Sequence, residues 1–165
     1  MPDSSADDLA PPQAPLPLAA FLPYRLSVVA ERISRAFAAR YQHEFGLSIP
    51  EWRIMAVLGE QAPSSTQAVI ERTGMDRVKV SRAVIRLARR GLLARRADPA
   101  DQRAQLLRLS RRGLAVYRRI VPLAHRMQAD LAATLTDAEQ RELDRILCKL
   151  HVGTGAPTDA AGGNP

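Results

Sequence analysis

The chain has 165 residues, 46% of them apolar and 25% charged, with 24 Lys and Arg against 17 Asp and Glu and a formal charge of +7. That is one ordinary domain's worth of core, too interrupted by charge for a membrane-spanning run and without the basic and apolar regions of a signal peptide, so a cytoplasmic protein is expected. One cysteine, Cys148, excludes an internal disulfide framework, and His43, His125 and His151 are too scattered for a metal cluster.

The position of the charge says more than its total. Residues 77–112 hold twelve bases and two acids, a net of +10, whereas residues 17–76 balance six against six and both ends of the chain are acidic. A basic block of this kind is either a disordered tail or a folded surface for a polyanion. Val80, Val84, Leu87, Leu92, Leu93, Leu106, Leu107 and Leu109 run through it, so it is expected to fold. Residues 1–16 and 153–165 lack large apolar side chains in the number needed to offset ordering entropy and read as disordered tails around a single domain at 17–152.

In chain order, Leu22, Leu26, Val29, Ile33 and Phe37 form one helical stripe, predicting a long first helix over residues 18–45 with Gly46 as its stop. Ser48 and Glu51 fit a capping box, with Pro50 tolerated in the first turn, and open a second helix through Trp52, Met55, Ala56 and Leu58. Ser64 with Gln67 can cap a short third helix ending at Thr73, where Gly74 turns the chain; Asp76 then caps a fourth over 77–90, ended by Gly91. The period next changes to two, giving strands at 92–97 and 104–109 around the Asp98-Pro99-Ala100-Asp101 turn. Ser110 opens a fifth helix carrying Leu114, Tyr117, Val121, Ala124, Met127 and Leu131, with a kink expected at Pro122. Thr136 and Glu139 box the start of a last helix through Leu143, Ile146, Leu147 and Leu150.

The predicted fold is therefore mainly α with a small β-hairpin (α+β): a winged helix-turn-helix lobe at 48–112 between long terminal helices at 17–46 and 113–152. On the fourth helix Val80, Val84 and Leu87 make the buried stripe, leaving Arg77, Val78, Lys79, Ser81, Arg82 and Arg86 for the opposite face. Residues 77–96 contain eight bases and no acid, an arrangement that repels itself unless an anion is present. Arg77 and Arg82 are the expected readers of guanine in a major groove, and Arg95, Arg96 and Arg103, with Asp101 orienting Arg103, the expected wing contacts in a minor groove.

The run Glu71-Arg72-Thr73-Gly74-Met75-Asp76-Arg77 through Ser81-Arg82, then Arg90-Gly91-Leu92-Leu93, Asp98-Pro99-Ala100-Asp101-Gln102-Arg103 and Leu109-Ser110-Arg111-Arg112-Gly113, resembles the MarR family of bacterial transcriptional regulators over about residues 18–150. The resemblance implies a homodimer held by the first and last two helices, two winged lobes on a pseudo-palindromic double-stranded operator, and release by a small, often aromatic anion. Position by position it places Arg77, Lys79, Ser81, Arg82 and Arg86 on the recognition helix and Asp101 and Arg103 in the wing; Ile85 departs from the polar residue usual there.

Two segments around Tyr24-Arg25 and Trp52-Arg53 combine aromatic side chains with a cation, as a planar anion requires. They also resemble members governing aromatic-acid catabolism, some of which sense acyl-CoA thioesters. Tyr24, Arg25, Tyr41, His43, Trp52 and Arg53 are the candidate effector residues. No acid-base pair or nucleophile accompanies the arginines, so neither an enzyme, a cofactor nor a metal is expected. Cys148 sits near the end of its helix, where the dipole disfavours a thiolate. A ligand-responsive repressor is the leading expectation; a non-specific architectural DNA binder is the alternative.

Overall fold

The computed structural model describes residues 15–97 and 105–153. A 3-10 turn at Leu18–Ala20 precedes α1 (Leu22–Phe45), then α2 (Ile49–Glu60), β1 (Ser64–Ser65), α3 (Thr66–Thr73), α4 (Arg77–Arg89), β2 (Leu93–Ala97), β3 (Gln105–Leu109), α5 (Arg111–Ala132) and α6 (Asp137–Gly153). This is the mainly helical winged arrangement expected from the sequence. The first helix differs in starting at Leu22, with Pro23 in its first turn, rather than at residue 18. Helix α5 runs without a break through Pro122, and α6 continues to Gly153, which had been assigned to the tail.

The helix ends are set locally. Ser48 donates from its backbone N and its Oγ to Glu51 Oε2, at 2.8 and 2.6 Å, which fixes the start of α2. Asp76 accepts from the Lys79 amide at 2.8 Å at the start of α4, and Thr136 and Glu139 bond each other at the start of α6. Gly46 and Gly74 close α1 and α3 with φ of +62°, a backbone region that favours glycine. The cap of α3 is Ser65, whose Oγ accepts from the Ala68 amide, not Ser64 as expected. Ser64 is taken up by β1, and its hydroxyl donates to the Gln61 carbonyl.

That short strand makes the hairpin a three-stranded antiparallel sheet in the order β1-β3-β2, with Ser64 opposite Leu107 and Leu93 opposite Leu109. The core lies between the sheet, α2 and α4, and comprises Leu47, Ile54, Met55, Leu58, Val69, Val80, Ala83, Val84, Leu87 and Leu107, closed on one side by Ile120 of α5. At the junction of wing and α5 the backbones nearly touch: a Cβ on Gly113 would lie 2.0 Å from the Leu92 carbonyl oxygen, so only glycine fits. Helix α5 packs part of the expected apolar set, Tyr117 and Met127, against the core, together with residues outside that set. Gly113 and Ile120 are buried, with Val116, Tyr117, Leu123 and Met127 packed against the core, whereas Leu131 is exposed.

Beyond this lobe the helices are barely covered. Leu22, Leu26 and Val29 of α1 and Leu143, Ile146 and Leu147 of α6 are exposed, and no residue of α6 is buried.

Candidate nucleic-acid interface and effector cavity

Val80, Ala83, Val84 and Leu87 anchor α4 in the core. At 3.6 residues per turn, the line directly opposite that buried stripe is Val78, Arg82, Ile85 and Arg89, and all four are exposed. Arg77 and Ser81 flank this line on the side of α3, where Arg77 Nη2 donates to Gln67 Oε1 at 3.3 Å. Lys79 lies on the other flank, 3.1 Å from Asp76 at the helix start. Sequence reasoning singled out Arg77, Val78, Lys79, Ser81 and Arg82 on this surface but passed over Arg89, which the same spacing would have found.

Arg86 of α4 and Arg90, the residue after Arg89, bond to residues at the joint between α1 and α2. Arg86 presents Nε to Glu51 Oε1 at 3.3 Å; Glu51 is 4% exposed and also receives both Ser48 bonds. Burial pushes the Glu51 carboxyl up, but the Ser48 side-chain and backbone hydrogen bonds, with the Arg86 charge, outweigh it and hold it below the usual glutamate range. Arg90, just past the end of α4, donates from Nη1 to the Gly46 carbonyl at 2.8 Å and from Nη2 to the Phe45 carbonyl at 2.7 Å, satisfying acceptors at the end of α1. The recognition-type helix is thereby tied at two points to the joint between α1 and α2. Arg86, expected on the nucleic-acid surface, is thus engaged at least in part inside the lobe.

In the wing, Arg95, Arg96 and Arg108 are exposed. Strand alternation puts Arg95 on the face towards α4, where it joins Ser81, Ile85, Gln105 and Thr66 around a recess of about 150 Å³, and Arg96 on the other face. Asp101 and Arg103, with the 98–101 turn, lie outside the described residues.

Of the six residues considered for an effector, three share a cavity. Tyr41, Trp52 and Arg53, with Ile33, Ser34, Phe37 and Ile49, line a space of about 170 Å³ between α1 and α2. The rings of Tyr41 and Trp52 are 5.4 Å apart, and Trp52 stacks on Tyr117 of α5 at 6.0 Å. Gly59 makes room for that stack, since a Cβ there would meet the Tyr117 ring at 2.3 Å. Arg53 extends towards Ser34 Oγ at 3.5 Å. Burial pushes the Tyr41 phenol up against the opposing effect of Arg53, so it is a neutral hydroxyl at neutral pH. Tyr24 and Arg25 lie in the first turn of α1, away from this cavity and exposed, and His43 faces a different recess beside Arg40, Glu44 and Leu123. Grouping these three with the others followed residue type, whereas membership of the cavity depends on which side of α1 a residue occupies.

Among the described residues no helix is long and apolar enough to cross a membrane, and no group of three or more His, Cys, Asp or Glu could hold a metal ion.

The comparisons with known proteins agree with this geometry. A sequence profile of the MarR family matches residues 45–104, from the end of α1 into the wing. The fold superposes on the PcaV transcriptional regulator of Streptomyces coelicolor, solved with its natural ligand, with a TM-score of 0.69 at 29% identity, covering 86% of this chain and 99% of that one. Over residues 45–104 the chain is similar to the MarR family. A second solved structure that the chain resembles is Bordetella bronchiseptica BpsR, whose DNA binding is regulated by 6-hydroxynicotinic acid: TM-score 0.73, 26% identity, 83% of this chain and 97% of that one. Among curated proteins, the transcriptional regulator HosA of Escherichia coli is 25% identical over 113 residues, 68% of this chain and 84% of HosA. The chain is a winged-helix transcriptional regulator.

Proposed function

We propose that this regulator is a cytoplasmic homodimeric repressor that binds a pseudo-palindromic double-stranded operator and is released by a single-ring aromatic carboxylate. The observation that carries the reading is the outward line of α4. Arg82 and Arg89 stand on it without an acidic partner among the described residues, with Arg77 and Ser81 on one flank and Lys79, paired with Asp76, on the other, next to a wing presenting Arg95, Arg96 and Arg108. Arg103, which the sequence puts between the two wing strands, would read minor-groove width, oriented by Asp101. Residues 17–46 and 113–152 form the dimerisation part and 48–112 the DNA-binding lobe.

The dimer is supported by the uncovered apolar faces of α1, α5 and α6. Val29, Ile33, Leu131, Leu135 and Leu143 line a groove of about 490 Å³ that a second copy would fill. The effector class is supported by size and chemistry. A cavity of about 170 Å³ compares with the ~150 Å³ cavity known to take up benzene. It is well short of the ~300–1,000 Å³ of larger ligand sites, which favours a free aromatic acid over its CoA thioester. Trp52 would stack on the ring, Tyr41 donate to the carboxylate and Arg53 neutralise it. BpsR, regulated by an acid of this class, agrees.

The test is competitive binding of the protein to its own upstream DNA against random duplex, with benzoate or 4-hydroxybenzoate added and the fluorescence of the sole tryptophan followed. The expected results are preference for the upstream duplex by about 10³-fold or more, loss of the complex with the acid, and a change in Trp52 emission. Equal affinity for both duplexes would instead make this an architectural DNA binder, and an acid that releases DNA without altering Trp52 emission would move the effector site elsewhere.

A further inference from the structure

The outward line of α4 is not uniformly basic. Arg82 and Arg89 alternate on it with two β-branched apolar residues, Val78, which is 57% exposed, and Ile85, which is 40% exposed. Single exposed aliphatics are ordinary on protein surfaces. These two, however, occupy the centre of the face the helix turns away from its core, flanked by Arg77, Lys79 and Ser81, where solubility alone would favour polar side chains. Neither side chain can hydrogen-bond to a phosphate or a base edge. The apolar feature that a major groove offers is the C5 methyl of thymine.

We propose that Val78 and Ile85 are specificity-determining residues, each packing on a thymine methyl on either side of the base read by Arg82. The inference rests on the reading of α4 as the recognition helix. The spacing gives it content. Seven residues of helix span about 10.5 Å, close to three base pairs at about 3.4 Å each. Arg82 falls between them, four residues from Val78 and three from Ile85, and reads a guanine O6 and N7. Each half-site therefore carries two thymines about three base pairs apart, on either strand, with a guanine between. Ile85 also lines, with Ser81, Arg95 and Gln105, the recess between α4 and the wing. The departure from a polar residue at 85 is then a change in which base is read.

The experiment is selection of preferred sites by the full-length protein from a random duplex library, followed by replacing each thymine of the selected site by uracil, which removes the methyl alone. Two positions in each half-site are expected to lose about fourfold in affinity, the effect of one buried methyl group. The penalty at one should vanish in Val78→Ala and at the other in Ile85→Ala. Both variants remain good helix formers at exposed positions. Thymines all indifferent to uracil, or penalties that persist in both variants, would overturn the methyl readout while leaving sequence-specific binding intact. A library in which no sequence is enriched would overturn the recognition-helix reading, and this inference with it.

Discussion

Arg82 and Arg90 are both cations of the same basic block, yet they do different things. Arg82 stands on the outward line of α4, and Arg90 turns back to bond the Phe45 and Gly46 carbonyls. Their substitution should separate the two roles. Arg90→Ala removes two charge-assisted hydrogen bonds and is expected to cost about 1–3 kcal/mol in thermal or urea unfolding, with preference among single-base operator variants retained. Arg82→Ala is expected to leave stability within about 0.5 kcal/mol and to flatten that preference. If Arg82→Ala instead weakened all operator variants equally, Arg82 would be a phosphate contact. Net charge treats these arginines alike; the +10 of residues 77–112 overstates the surface free to meet an anion, because Arg86 and Arg90 have partners within the fold.

At the scale of elements, the contact between α2 and α4 through Glu51 and Arg86 should respond to pH. The folded carboxyl is held low, so its stabilisation is fully present above the unfolded glutamate value of about 4.3 and is lost as pH falls through the folded value. Glu51→Gln is expected to cost about 1–3 kcal/mol at pH 7, with the gap from the parent narrowing once the pH drops below about 4. A gap that stayed constant in unfolding experiments from pH 7 to 3 would show that the charge of Glu51 contributes nothing. Helix boundaries were legible in the sequence where they depend on neighbours, as at Ser48 and Glu51, Asp76, and Thr136 and Glu139. They were illegible where a distant segment decides. Either Ser64 or Ser65 could have capped α3, and pairing with Leu107 and Leu106 on β3 settles which. The partners of Arg86 and Arg90 lie 35 to 45 residues away, beyond any local pattern. Ile120 was not singled out on α5 because that helix carries apolar residues on more than one side, and only packing selects it for the core.

For the whole molecule, the lobe from α2 to β3 has a closed core, while the terminal helices leave apolar faces uncovered. In the reading proposed above a second copy covers them and sets two α4 helices about one turn of DNA, 34–36 Å, apart. The cavity of Tyr41, Trp52 and Arg53 lies between α1, which in that reading belongs to the dimerising part, and α2, which belongs to the lobe. Glu51 follows Ile49 and precedes Trp52 on the same turn of α2 and bonds Arg86 of α4, so occupation of the cavity and placement of α4 share one element. The measurement that tests this account most directly is a hydroxyl-radical footprint of the protein on its upstream DNA. The account requires two protected half-sites related by a dyad, with centres about 10–10.5 base pairs apart or a multiple of that distance. A single unpaired half-site, or protection spread evenly without regard to sequence, would contradict it.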